Sequence, residues 1–187
     1  MAKATREAYG ETLKELGAQI PEIVVLDADL SASTKTAVFA KAFPDRFFDT
    51  GIAEGNLMSV AAGLAASGKI PFASTFAVFG AGRAYEQIRN SICYPNLNVK
   101  VAVTHAGLTV GEDGATHQML EDIALMRALP NMTVVVPADA AETAQVIRWA
   151  ASYQGPVYIR MGRAKVEDVI SPDAEFVPGK STTLADG

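Results

Sequence analysis

Glu22-Ile23-Val24-Val25-Leu26-Asp27-Ala28-Asp29-Leu30 decides the fold class of this 187-residue chain. Four branched apolar residues follow one another with no polar residue between them. A strand with one wet face alternates apolar and polar positions, so an unbroken run marks a strand covered on both faces. The same kind of run recurs at 70–76, 98–104, 132–136 and 157–161. Helical patterns fill the intervals at 3–18, 33–43, 54–67, 81–94, 120–128 and 138–153, and a short segment at 47–50 precedes the third helix. Strands alternating with helices in this way predict an α/β domain: a doubly wound, mainly parallel sheet with helices on both faces. Such sheets bind ligands outside the carboxyl ends of their strands. Those ends fall at 27–33, 74–79, 104–117 and 160–163, so the site is sought there.

The bulk properties exclude several classes. With 49% hydrophobic residues the chain can fill a core, and a net charge of −5 without any Lys/Arg run makes nucleic acid and anionic membranes poor partners. No apolar stretch approaches the roughly 18 residues of a membrane span, and no signal peptide is evident, so a cytoplasmic protein is expected. The lone Cys93 excludes a disulfide framework and reads as a core residue. The regular pattern fades after Ala164. Pro172, Pro178, Gly179 and the run Ser181-Thr182-Thr183 then read as linker. The organisation expected is a domain over 1–164 and a linker or tail over 165–187, with more protein following.

Glu54 is the first chemical candidate. It opens the segment Glu54-Gly55-Asn56-Leu57-Met58-Ser59-Val60-Ala61-Ala62-Gly63-Leu64-Ala65-Ala66, which has almost no polar face and is expected to be buried all round, in the domain or at a subunit interface. No Lys or Arg adjoins it in sequence. A carboxyl carried into such a setting is expected to hold a proton more readily and so to suit acid–base work. A helix cap is the plainer reading.

The loop His105-Ala106-Gly107-Leu108-Thr109-Val110-Gly111-Glu112-Asp113-Gly114-Ala115-Thr116-His117-Gln118 holds both histidines of the chain. Histidine moves protons near neutral pH and binds hydroxyl or phosphate groups. Phe76 and Phe79, at a strand end, are placed to sandwich a flat ring or to fill the core. Gly80-Ala81-Gly82 misses the dinucleotide fingerprint, because Tyr85 stands at the third glycine position and Lys100 where an acid is needed. Asp27, Asp29, Ser31 and Ser33 cluster after the first core strand. Arg160 and Arg163 at the last strand end offer fixed positive charge for a phosphate or for a salt bridge.

Gly51-Ile52-Ala53-Glu54, Thr75-Phe76-Ala77-Val78-Phe79, Gly111-Glu112-Asp113-Gly114 with Thr116-His117-Gln118, and Pro130-Asn131-Met132 together resemble the pyrimidine-binding domain of transketolase, over roughly residues 5–165. The resemblance implies the thiamine-diphosphate-binding fold and transfer of a two-carbon ketol unit from a ketose phosphate to an aldose phosphate. Glu54 would hydrogen-bond the pyrimidine ring nitrogen of thiamine diphosphate and favour its imino form. Phe76 and Phe79 would stack on the ring, and Asp29 would contact the cofactor. His117 and Asp113 would meet the sugar hydroxyls, His117 also moving protons. His105, Ser33 and the Arg160/Arg163 corner would bind the sugar phosphate, Arg163 aligning better than Arg160.

Two departures loosen substrate placement: Gly82 stands where many members carry Tyr, and Ala106 where they often carry Asp. A third is larger. The Gly-Asp-Gly metal motif of the diphosphate-binding domain is missing. The chain resembles the carboxyl-terminal half of a split transketolase, with Mg²⁺ or Ca²⁺ held by a diphosphate-binding partner chain in a homodimer or heterotetramer. Deoxyxylulose-phosphate synthase, an oxo-acid dehydrogenase beta subunit and a non-catalytic isolated domain are the alternatives.

Overall fold

The computed structural model describes residues 2–171, 174–180 and Thr183. Pro172, Ser181 and Thr182 of the expected linker lie outside the described residues. Six strands form one parallel sheet in the order β3-β2-β4-β5-β7-β6, with β2 at Ile23–Asp27, β3 at Phe47–Asp49, β4 at Ile70–Phe76, β5 at Lys100–Thr104, β6 at Thr133–Val135 and β7 at Val157–Arg160. The unbroken apolar run of β2 is explained by its two neighbours in depth. Val24 and Leu26 join one core, with α4 (Glu54–Ala66) and the helical stretch after β4, while Ile23 and Val25 join the other, with α1 (Thr5–Gln19) and α7 (Ala140–Ser152).

Two short strands lie outside the sheet. Lys3–Ala4 (β1) pairs antiparallel with Lys165–Val166 (β8), so the chain continues past Ala164 as part of the packed body. Beyond it, the backbone N–H groups of Val169 and Ile170 donate to Asp139 Oδ2, at 2.8 Å each. Among the described residues no helix is long and apolar enough to cross a membrane. Cys93 is fully buried, and burial pushes its thiol up to about 11.

Three helices depart from the expected pattern, and each departure shapes the cleft. The single helix expected from 33 to 43 is two, α2 (Ser31–Thr34) and α3 (Ala37–Ala42), separated by Lys35 at φ 73°. Gly10 of α1 makes this break fit: a Cβ there would lie 2.5 Å from the Lys35 carbonyl oxygen. The helix expected over 81–94 contains two π turns, Val78–Arg83 and Ile88–Cys93, flanking α5 (Tyr85–Gln87). The Ala84 N–H accordingly reaches back five residues to the Phe79 carbonyl, at 3.1 Å. Such wide turns insert one residue and re-aim the side chains beside it. Finally, α4 is buried on one face only. Glu54, Leu57, Met58, Ala61 and Ala62 face the core, while Asn56, Ser59, Val60, Gly63 and Ala66 are exposed. The expectation of burial all round within this chain is corrected.

Candidate active site

The carboxyl ends of β2, β4, β5 and β7 open onto two adjoining cavities. Phe79 lines both.

The smaller cavity, about 330 Å³, is lined by Ala28, Asp29, Leu30, Ile52, Glu54, Phe79 and Arg83. Glu54 opens α4 and is only 2% exposed. It does not stand alone, as its sequence neighbours suggested. Arg83, 29 residues on, approaches both carboxylate oxygens through Nη1, at 2.9 and 3.0 Å. The Arg83 guanidinium carbon also lies 4.6 Å from the centroid of the Phe79 ring. The expectation of a buried carboxyl without a cation is therefore overturned. Tertiary folding supplies a cation that sequence proximity does not. Asp29 takes φ 61°, its N–H held by Asp49 Oδ1 at 3.0 Å.

Asp27 braces this corner. Its carboxylate accepts from the Leu30 N–H and from the Thr34 and Thr36 hydroxyls, at 2.7 to 2.8 Å. Burial pushes the Asp27 carboxyl up, against these hydrogen bonds, which favour its charged form.

The larger cavity, about 560 Å³, brings together His105, His117, Asp113, Ser33, Phe76 and Arg163 from the sequence reading, with Arg6, Lys35 and Glu112 added. Phe76 and Phe79 are stacked, centroids 5.9 Å apart and planes 10° apart. They are not equivalent. Phe76 is buried, with His105 stacked on it at 3.7 Å; Phe79 keeps the more open position and meets His117 edge-on at 5.5 Å. His105 sits at φ 59°, 2% exposed, with Nδ1 bonded to the Thr104 hydroxyl at 2.8 Å. Burial, then the charges of Arg6 and Arg163, lower its pKa to about 4. It is a neutral imidazole at pH 7. His117 Nδ1 is bonded to the Thr116 hydroxyl at 2.9 Å, which leaves Nε2 for a ligand.

The two arginines at the end of β7 part company. Arg163 lines the cavity and pairs with Glu112 at 2.5 Å. Arg160 is taken up by buried Asp122, Nε to Oδ2 at 2.8 Å, beside the Tyr158 hydroxyl that donates to the same oxygen. It braces the loop at Gly107 and is not among the residues lining the cavity. The structure thus turns Arg160 towards a buried carboxylate and leaves Arg163 as the arginine of this corner that lines the cavity. Among the described residues no group of three His, Cys, Asp or Glu is placed to hold a metal ion.

Three cations of the site escaped the sequence reading. Arg6, on the first turn of α1, donates to the Ser33 carbonyl at 2.7 Å, and its Nε is buried without a partner. Lys35 and Arg83 owe their places to the helix break and the π turn. An unusual backbone was the signal available in the structure: Asp29, Lys35 and His105 all have positive φ and all border the cavities.

Fold and site together define a parallel α/β domain that presents a buried acid, an aromatic wall and a cationic cleft at the carboxyl ends of its strands. The chain belongs to the transketolase pyrimidine-binding-domain family: the family described as "Transketolase, pyrimidine binding domain" matches residues 1–168. It is 58% identical over 99% of its length to the "Putative transketolase C-terminal section" of Methanocaldococcus jannaschii, and covers 59% of that protein. It is 40% identical over 97% of its length to the 6-deoxy-6-sulfo-D-fructose transketolase subunit SqwH of a Clostridium species, covering 56% of it. A solved structure described as "Split gene transketolase, inactive beta4 tetramer" superposes with a TM-score of 0.88 at 67% identity, over 98% of this chain and 59% of that one. The chain thus spans a little over half the length of these relatives.

Proposed function

We propose that this chain is the pyrimidine-domain part of a two-subunit, thiamine-diphosphate-dependent transketolase that moves a two-carbon ketol unit from a ketose phosphate to an aldose phosphate. One observation carries the reading: a 2% exposed Glu at the mouth of α4 shares a cavity of about 330 Å³ with the Phe79 ring. That cavity fits a flat heteroaromatic with ring nitrogens, because the carboxyl is the polar partner and the ring the stacking surface. When bound, thiamine diphosphate supplies the electron sink that ketol transfer requires. Glu54 would donate a hydrogen bond to the pyrimidine nitrogen. Phe79 packs on the ring, with Phe76 supporting it from behind. Asp29 borders the cofactor's path.

The larger cavity is the sugar-phosphate channel in this reading. His117 and Asp113 meet hydroxyl groups, and His117 Nε2 moves protons. Arg6, Arg163, Ser33 and His105 gather at the anionic end, His105 as a neutral donor. The relative named for a sulfosugar supports an anionic sugar as substrate class; the pentose-phosphate donor is the choice to test first. The ligands of Mg²⁺ or Ca²⁺ and of the diphosphate belong to a diphosphate-binding partner subunit, and the relative described as a split-gene tetramer supports such an assembly. The exposed strip of α4 is then part of the subunit interface. A cytosolic setting agrees with the single, free Cys93.

The test mixes the chain with a diphosphate-binding subunit, thiamine diphosphate and Mg²⁺ and measures ketol transfer from xylulose 5-phosphate. Activity is expected only from the mixture. Glu54→Gln should lower kcat by roughly a hundredfold or more, the scale of a lost acid–base group, with an unchanged circular dichroism spectrum. Full activity in that variant would refute the assignment.

A further inference from the structure

Arg83 occupies the two groups that the proposed cofactor ring would meet. A guanidinium is flat and delocalised, stacks on aromatic faces and donates N–H groups to carboxylates. Here it does both at once: it lies over Phe79, 4.6 Å from the centroid, and gives Nη1 to both oxygens of Glu54. We infer that Arg83 is an internal occupant of the pyrimidine slot, which holds Glu54 and Phe79 in the free chain and swings into solvent when the cofactor ring enters. This inference rests on the function proposed above.

Burial decides which partner moves. Glu54 is 2% exposed and cannot lose its donor to water, whereas the Arg83 side chain is 55% exposed. A single nitrogen bridges the two oxygens, so the pair lacks the two-nitrogen fork of a strong arginine–carboxylate contact. Its guanidinium end is open to water, which weakens the pair. As the Arg83 cation leaves, Glu54 takes up one proton from solvent and shares it with the ring nitrogen, so no unpaired charge is left in the buried site. An occupied slot reduces apparent affinity by the fraction of molecules that are open. Arg83 therefore tunes cofactor affinity without touching the sugar.

The test is calorimetric titration of thiamine diphosphate, with Mg²⁺, into the assembled two-subunit protein carrying wild-type chain, Arg83→Met or Arg83→Gln. Arg83→Gln leaves Glu54 an amide donor should the Met variant fold poorly. Both variants are expected to bind the cofactor more tightly, by about fivefold for the loss of one weak competing pair. In wild-type protein, the side-chain NMR signals of Arg83 should change from restrained to freely rotating on cofactor addition. Equal or weaker binding by variants that melt like wild type, with an unchanged Arg83 signal, overturns the inference alone. Failure of the wild-type assembly to bind thiamine diphosphate at all overturns the proposed function and this inference with it.

Discussion

Among the residues lining the larger cavity, His105 is the one whose environment most changes its chemistry. Burial and the nearby Arg6 and Arg163 charges hold it near 4 against an ordinary value of 6.5. The folded chain thus refuses a proton that the unfolded chain accepts in that window. As pH falls from 6.5 towards 4, the unfolded state gains protons first and stability is withdrawn; above 6.5 the group has no effect. A histidine NMR titration should place the His105 midpoint well below 6.5, and His105→Asn should flatten the acid limb of a stability-against-pH curve. A midpoint well above 7 would make the imidazole a cation at the anionic end of the channel, and its proposed role as a neutral donor would fall. Lys100 shows the same physics away from the site. Burial brings it down to about 7 while its ammonium donates to Asn98 Oδ1 and the Tyr153 and Gly155 carbonyls.

At the scale of elements, helix ends do the positioning. Glu54 lies at the start of α4, Arg6 at the start of α1, and Lys35 in the break between α2 and α3. The last long helix, α7, is fixed by Asp139. Its Oδ1 accepts from the Glu142 N–H at 2.9 Å, while Oδ2 holds the N–H groups of Val169 and Ile170 at 2.8 Å. Burial works against the carboxylate, yet backbone donors from Glu142, Ile170, Val169 and Ala141 hold it below its usual range. Asp139→Ala removes a cap and orphans two more donors. It should cost about 2 kcal/mol in urea denaturation, a typical cap loss plus part of two hydrogen bonds. Asp139→Asn should cost less, because its side-chain oxygen still accepts. A loss below a few tenths of a kcal/mol in Asp139→Ala would show that the segment after β8 does not lean on this helix.

On the scale of the whole molecule, the exposed strip of α4 matters most. A strand-following helix rich in Ala that leaves Val60 36% exposed and the nearby Ile52 77% exposed has apolar surface free for a neighbour. In the proposed assembly this strip carries the subunit contact, beside Glu54. Val60→Asp should shift sedimentation-velocity profiles towards smaller species and lower ketol transfer in the mixture, while the monomer's melting temperature changes little. An unchanged profile would remove α4 from the interface.

The alternation of unbroken apolar strands with helices was legible in the sequence because a sheet covered on both faces needs apolar residues at every strand position. Glu54, Phe79, the two histidines and Asp113 were legible as well, since they sit within short motifs at strand ends. The partnership of residues distant in sequence was not. Arg83 reaches Glu54 only because a π turn re-aims it. Lys35 enters the cleft only because Gly10 admits a left-handed break. Arg160 is lost to Asp122, a buried acid 38 residues away. Local patterns fix periodicity and candidate chemistry, because both depend on neighbours along the chain. Which charges meet, and which remain free for a ligand, depends on neighbours across the fold, and only the tertiary structure decided that.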